Sequence, residues 1–307
     1  MNDVQPAAIG VDIGGTKIAA GIVTQAGDVL LPRSIPTPVM EGPEAVLDAI
    51  IGQVAALLRD VPDQPVQAVG IGTAGMVDAD TGVIMHANQH LPGWAGMRLG
   101  ERVQSATGLS TYVDNDVNVL AVGEGRFGSG QGFREVLYAA VGTGIGGAIV
   151  RNGDIWRGTH FGAGEIGYLV SGWDEQGRPI NVEDQAGGIA MQKRYQMLAK
   201  RAEPVSLRQV AEQARAGDEL AARVIREGAA LLGYVLGSLI VVLDPEIVII
   251  GGGVPTIGDL WWQPFEQALR RDGAIPTLQS VQLAPARLST HAGLVGAAAL
   301  ALNAVDA

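Results

Sequence analysis

A two-lobed α/β protein built from a repeated unit is predicted by three observations. Apolar runs of strand length alternate with runs at helical spacing along most of the 307 residues. Three strands run directly into glycine-rich turns, at Gly14, Gly142 and Gly251. The opening strand–turn–strand arrangement also returns: Gly142 lies 128 positions after Gly14, and Gly153 lies 126 after Gly27, a near-constant offset that marks a duplication. Two related lobes facing each other would set their glycine turns on opposite sides of one cleft.

The elements follow in order. Ala7 to Ile13 is an apolar run holding Asp12, closed by Gly14-Gly15-Thr16-Lys17 and followed by Ile18 to Val23, a turn at Gln25 to Asp28, and Val29 to Leu31. That is a three-stranded meander. Glu44 to Arg59 carries Val46, Leu47, Ile50, Val54, Leu57 and Leu58 at helical spacing. Val66 to Ile71 is a strand ending in Gly72-Thr73-Ala74-Gly75, and Arg98 to Thr107 a helix stopped by Gly108. Ser110 to Val113 is a strand, and Val117 to Val122 opens a helix.

The second meander is Val136 to Val141, Ala148 to Val150 and Ile155-Trp156, with turns at 142–147 and 152–154. Helices follow over Gly188 to Arg201, from the capping-box signal Ser206-Leu207-Arg208-Gln209, and over Asp218 to Leu243. Asp244-Pro245-Glu246 breaks the last of these before the buried strand Ile247 to Ile250, and the Ala- and Gly-rich run Ala292 to Ala304 is the final helix.

Bulk composition excludes several classes. A net charge of −11 disfavours a nucleic acid partner. Cysteine is absent, which rules out disulfides and thiolate metal sites. The N-terminus shows neither a basic nor an apolar export region, and the uncharged run Gly228 to Leu243 is short for a bilayer. A cytoplasmic protein without membrane contact is expected.

Chemistry concentrates in four places. Tyr112 to Asn118 packs Asp114, Asn115, Asp116 and Asn118 into a strand-to-helix turn, where a carboxylate can take a proton, or where Asp114 or Asp116 can simply cap the helix. The three glycine turns let backbone N–H groups approach an anion, although none has the P-loop or the dinucleotide spacing. A cleft holding a polyphosphate explains three of them better than three tight hairpins do. Asp12, set in an apolar strand beside the first turn, suits a Mg²⁺ held through water, or hydrogen bonds to that turn. Asp116 suits the base of a phosphoryl transfer, with Asn115 beside it to hold a neighbouring hydroxyl. Asn88, Glu165 and Glu183 lie in glycine- or proline-punctuated loops and suit a polyhydroxylated acceptor.

At these residues the chain resembles the ROK family of sugar kinases and related regulators. The resemblance runs nearly end to end and is carried by Gly10-Val11-Asp12-Ile13-Gly14-Gly15-Thr16-Lys17, Asp114-Asn115-Asp116, Gly142-Thr143-Gly144-Ile145-Gly146-Gly147 and Gly251-Gly252-Gly253. It implies a two-lobed actin-like (hexokinase-like, RNase H-like) ATPase fold of duplicated βββαβαβα units with an interlobe cleft. The smaller lobe is expected at 1–117 with 291–307, and the larger at 118–290. By the resemblance Asp12, Gly14, Gly15, Thr16 and Lys17 meet the phosphates and Mg²⁺ of ATP, Thr143 and Gly144 do so from the other lobe, and Gly252 and Gly253 lie under the adenosine. Asp116 is the base, and Asn88, Asn115, Glu165 and Glu183 hold the sugar.

The chain departs from the family at two points. Where the family commonly has Glu-x-Gly-His, this sequence has Glu165-Ile166-Gly167-Tyr168, so Tyr168 faces the acceptor in place of a histidine. The downstream cysteine cluster is missing between Ser171 and Glu183, so no structural zinc of the usual form is expected. The leading expectation is an ATP-dependent, glucokinase-like hexose kinase acting at O6; the apolar helix after Asp218 suits a homodimer, or is simply core. An amino sugar or cyclitol as acceptor, polyphosphate as donor, and a non-catalytic sugar-responsive regulator stand as alternatives.

Overall fold

The computed structural model describes residues 6–61, 64–87, 91–271 and 275–306. Its two compact units are Met1–Arg134 with Ile149–Ala163 and Arg287–Ala307, and Glu135–Ala148 with Gly164–Ala286.

In the first unit the meander is β1 (Ala7–Ile13), β2 (Lys17–Thr24) and β3 (Val29–Pro36). β1 and β2 pair antiparallel from Ala7 with Thr24 to Ile13 with Ile18. α1 (Pro43–Asp60) begins on a proline, as a first helical turn tolerates, and buries Val46, Leu47, Ile50, Val54 and Leu57 along one face. β4 (Val66–Thr73) runs parallel to β1. After the hairpin β5 (Met76–Asp78) and β6 (Val83–His86) comes α2 (Leu99–Thr107), which stops where Gly108 takes a φ of 74°. β7 (Ser110–Asn115) lies parallel to β4 and leads into α3 (Asp116–Phe127). The sheet order is β3-β2-β1-β4-β7.

The second sheet repeats that order. β8 (Glu135–Val141), β9 (Ile145–Arg151) and β10 (Asp154–Ile155) form its meander. The hairpin β11 (Val170–Trp173) and β12 (Pro179–Asn181) precedes α4 (Glu183–Ala186), α5 (Gly188–Leu198), α6 (Leu207–Arg215) and α7 (Glu219–Leu243). Then come β13 (Ile247–Gly251), α8 (Asp259–Leu269), α9 (Pro276–Ser280), β14 (Gln282–Pro285) and α10 (Ala292–Asp306). With β13 parallel to β8 and β14 parallel to β13, the order is β10-β9-β8-β13-β14, strand for strand the first pattern. The duplication legible in the glycine turns is therefore a duplication of topology, and the architecture is that of the actin-like ATPases.

Residue size on the two faces of the first sheet decides what packs there. Ile9, Val11 and Ile13 point into the core shared with α1, while Ala8 and Ala68 face the small-residue side of α10, at Leu294, Ala298 and Ala301. Helix and sheet approach so closely that a Cβ on Gly10 or Gly70 would fall 1.8 or 1.7 Å from the carbonyl oxygens of Leu294 and Ala297. α3 meets α10 glycine on glycine, Gly123 against Gly296, which groups α3 with the first unit although the expected boundary falls at residue 117. Residues 149–163 also group there, through Ile155 packed with Val122 and Ala299.

At 25 residues α7 is longer than the uncharged run within it, and by length and composition could cross a membrane. Its Leu232, Leu236 and Ile240 are buried, however, and Gly233 sits against the Phe265 backbone of α8, as in the core helix of a globular domain.

Candidate functional site

The polar turn of the first unit is built from both ends. β7 delivers Asp114 and Asn115, and α3 begins at Asp116. Asn115 is the cap: its Oδ1 accepts the N–H of Val117 at 2.8 Å and of Asn118 at 3.3 Å, and its Nδ2 donates to the Gly75 carbonyl at 2.9 Å. Asp114 is buried against Arg157, and Asp116 is the half-buried first helical residue, accepting Val117 N–H at 3.0 Å. The capping role open to either aspartate thus falls to the asparagine between them.

The first glycine turn is held from two sides. Gly14 N–H donates to Lys17 O at 3.0 Å, Thr37 N–H donates to Thr16 O at 3.1 Å, and the Thr37 hydroxyl donates to Gly14 O at 2.7 Å. Thr16 and Lys17 are exposed. Asp12 is seated so tightly against the first turn of α10 that a Cβ on Gly293 would lie 2.2 Å from its Oδ2. Burial pushes the Asp12 carboxyl above its ordinary range, an effect that the nearby Lys17 ammonium opposes. Its carboxylate has no hydrogen-bond partner among the described residues, so a hydrated divalent cation with hard oxygen preference fits what this group lacks.

In the second unit a cavity of about 670 Å³ is walled by Gly142 and Thr143 on one side, α5 and α6 through Gln192, Arg208 and Glu212, and the Gly253–Ile257 loop. Its walls are pinned. Gly188 and Ile189 at the start of α5 donate to Gly142 O and Thr143 O at 2.9 and 3.0 Å, and Arg215 Nη2 donates to Ile257 O at 2.8 Å. The Ser206–Gln209 capping box read from the sequence starts α6.

The glycines sort by what requires them. Gly252 has a φ of 92° and would drive a Cβ to 2.3 Å from Val141 O, so the fold itself demands it, whereas a Cβ on Gly144 would meet only the carboxylate end of the Glu183 side chain. Gly142 and Gly253 have ordinary φ and nothing within 4 Å of an added Cβ; Gly14 meets only a carbonyl at 3.5 Å. Among the described residues no contact requires glycine at these three places, and the open space there leaves room for close approach of a ligand.

Glu165 and Glu183 are neighbours. Glu183 Oε2 accepts Ile145 N–H at 2.7 Å, tying it to the second glycine turn. Partial burial first, and the Glu183 charge second, push the Glu165 carboxyl above its ordinary range. Tyr168, on the 3-10 turn that follows Glu165, is 70% exposed and free to meet a ligand. Asn88 lies outside the described residues.

The ROK family profile matches residues 8–304, nearly the whole chain. The chain belongs to the ROK family. A glucokinase of Streptomyces coelicolor is 36% identical to this ROK protein, over 95% of this chain and 96% of the relative. Among solved structures, a ROK hexokinase from Thermus thermophilus superposes with a TM-score of 0.86 at 32% identity, over 98% and 100% of the two chains. A ROK family glucokinase from Streptomyces griseus in complex with glucose and AMPPNP gives 0.77 at 34% identity, over 96% and 98%.

Without cysteine, this ROK protein cannot form a cysteine zinc cluster. Its β11–β12 hairpin is closed by side chains instead: the Ser171 hydroxyl donates to Ile180 O at 3.2 Å, Gln185 Nε2 donates to Ser171 Oγ at 3.1 Å, and Arg178 Nε donates to Asp174 Oδ2 at 2.6 Å. Sequence reasoning passed over Arg157, Thr37, Gln192, Arg208 and Glu212. The first two meet their partners across 43 and 23 residues of chain, and the others are surface-type residues of the two helices α5 and α6 until the cavity beside them is seen.

Proposed function

We propose that this protein is an ATP-dependent hexose kinase that moves the γ-phosphoryl group of MgATP to O6 of glucose or a close analogue. The carrying observation is the set of glycines at 14, 142 and 253, which the fold does not require and which border the first turn and the second-unit cavity. The Streptomyces griseus relative, solved with glucose and AMPPNP, supports both substrates.

In this reading Asp116 accepts the proton of the acceptor hydroxyl as its oxygen bonds to phosphorus, and the bond from the γ-phosphorus to the bridging oxygen breaks to release ADP. Asp12 would hold the Mg²⁺, through water, and the ion would neutralise charge on the phosphates. Gly14, Gly15, Thr16, Lys17, Thr143 and Gly144 bind the phosphates, and Gly252 and Gly253 support the nucleoside. Asn88, Glu165, Tyr168 and Glu183 bind the acceptor. Asn115 serves it mainly by shaping the turn, since three of its hydrogen bonds are made internally.

Exposed Tyr168 favours a second reading of the acceptor, an amino sugar or cyclitol, because a phenol offers a longer and less basic contact than an imidazole. A cytoplasmic site of action follows from ATP as donor. A homodimer is supported by the exposed α7 residues Tyr234, Val241 and Val242, which share one helical face.

The test is Asp116→Asn. Turnover should fall by at least about 10²-fold, with sugar affinity by calorimetry within a few-fold of the parent. Near-normal turnover would refute the base assignment, and an acceptor panel run with ATP and with polyphosphate identifies both substrates.

A further inference from the structure

Asp114 belongs to the same polar turn as Asp116, yet the proposed reaction gives it no task. Its carboxylate is 1% exposed, and donors surround it. Oδ2 accepts Arg157 Nε and Nη2, each at 2.7 Å, while Oδ1 accepts Asn115 N–H at 2.8 Å and Asn118 Nδ2 at 2.7 Å. The last two bonds bracket residue 116: one is to the backbone immediately before it, the other to a side chain two residues into α3. Turning the peptide that carries Asp116 would break both.

Burying an ion pair costs desolvation that an apolar pair of similar volume would avoid, so such a pair is a poor device for stability and a good one for fixing a single geometry. Arginine is suited to this task because two N–H groups on one edge of a rigid plane reach the same carboxylate oxygen. Arg157 itself is placed by the chain leaving β10, with Nη1 3.4 Å from Ile155 O.

We propose that Arg157 and Asp114 are a positioning pair that sets the direction of the Asp116 carboxylate, so that Arg157 controls turnover while acting only through Asp114. The inference rests on the reading of Asp116 as the base. A displacement of the reacting groups by about 1 Å can cost on the order of 10²-fold in rate without a matching loss of binding.

The experiment compares steady-state kinetics and melting of the parent, Asp116→Asn, Arg157→Lys, and the double variant Asp114→Asn with Arg157→Gln, which leaves no buried charge unpaired. Arg157→Lys keeps the charge and loses the rigid edge. Expected for both Arg157 variants is a kcat lower by roughly 10- to 100-fold, with KM for sugar and for ATP within about threefold of the parent. A folded variant with kcat within about twofold of the parent, or a loss confined to KM, overturns the pairing. So does failure of both variants to fold, which would make the pair purely structural. A parent without kinase activity, or Asp116→Asn that retains it, overturns the base assignment instead, so the two failures are distinct.

Discussion

Gly252 and Gly253 are neighbours with opposite reasons to be glycine, and alanine at each separates fold from ligand. At 252 the φ of 92° is unfavourable for any residue with a Cβ, and the new methyl carbon would stand 2.3 Å from Val141 O and 2.6 Å from its carbonyl carbon. The left-handed conformation costs about 1–2 kcal/mol, and overlap with backbone that cannot swing aside adds about 1–3 kcal/mol. A loss of roughly 2–5 kcal/mol would lower the melting temperature by roughly 3 to 8 °C in a protein of this size. At 253, with φ −80° and ψ −24° and open space around the added carbon, alanine restricts the unfolded chain more than it strains the folded one. Gly253→Ala should therefore gain about 0.4–1 kcal/mol.

Function should move the other way. The methyl at 253 would stand at a wall of the cavity proposed to take the nucleotide, so KM for ATP should rise about tenfold or more, a change of about 1.4 kcal/mol, while KM for the sugar stays put. Thermal melts with and without ATP, and kinetics at varied ATP, read both effects. Gly253→Ala with unchanged ATP dependence would show that the nucleotide does not approach this loop. A Gly252→Ala variant as stable as the parent would show that the steric argument is wrong.

Two further outcomes are expected. Glu165 has a carboxyl raised above its ordinary 4.5 by burial and by Glu183, so its contribution to stability is present at acid pH and lost as pH rises through the raised value. Glu165→Gln should accordingly melt higher than the parent at pH 7, with the advantage vanishing near pH 4, and should also raise KM for the acceptor; a variant that melts lower at pH 7 contradicts the assigned cause. Val242→Arg, at a position 78% exposed in the single chain, should turn a dimer into a monomer by light scattering without lowering the melting temperature of the monomer; a parent that is already monomeric ends the dimer proposal.

Much of the architecture was legible because its signals are local. Strand periodicity, the Gly108 stop, the Ser206 capping box and the repeated glycine turns each depend on residues within a few positions of one another, and all appear in the structure. The short hairpins at 76–86 and 170–181, and the helices α8 and α9, were not anticipated. Their strands are only three or four residues long, and Pro264 sits inside α8 where a helical reading would stop. In the site, Asp116 and the turns could be nominated from residue type and position. The cap, by contrast, went to Asn115, whose Oδ1 accepts two helix N–H groups while its Nδ2, a donor that no carboxylate has, reaches Gly75 O.

By itself, then, the sequence determined the duplicated α/β plan, the lack of any thiolate chemistry, and the residues able to serve as base, metal carboxylate and phosphate cradle, because all of these follow from residue identity and near-neighbour spacing. Only the tertiary structure decided which glycines answer to the fold and which remain open to a ligand, that Arg157 comes to Asp114, and that Glu183 is tied to the second glycine turn beside Glu165. Those are contacts between segments far apart in the chain, set by the closeness of packing between helices and sheets, and no local pattern of residues encodes a distance of that kind.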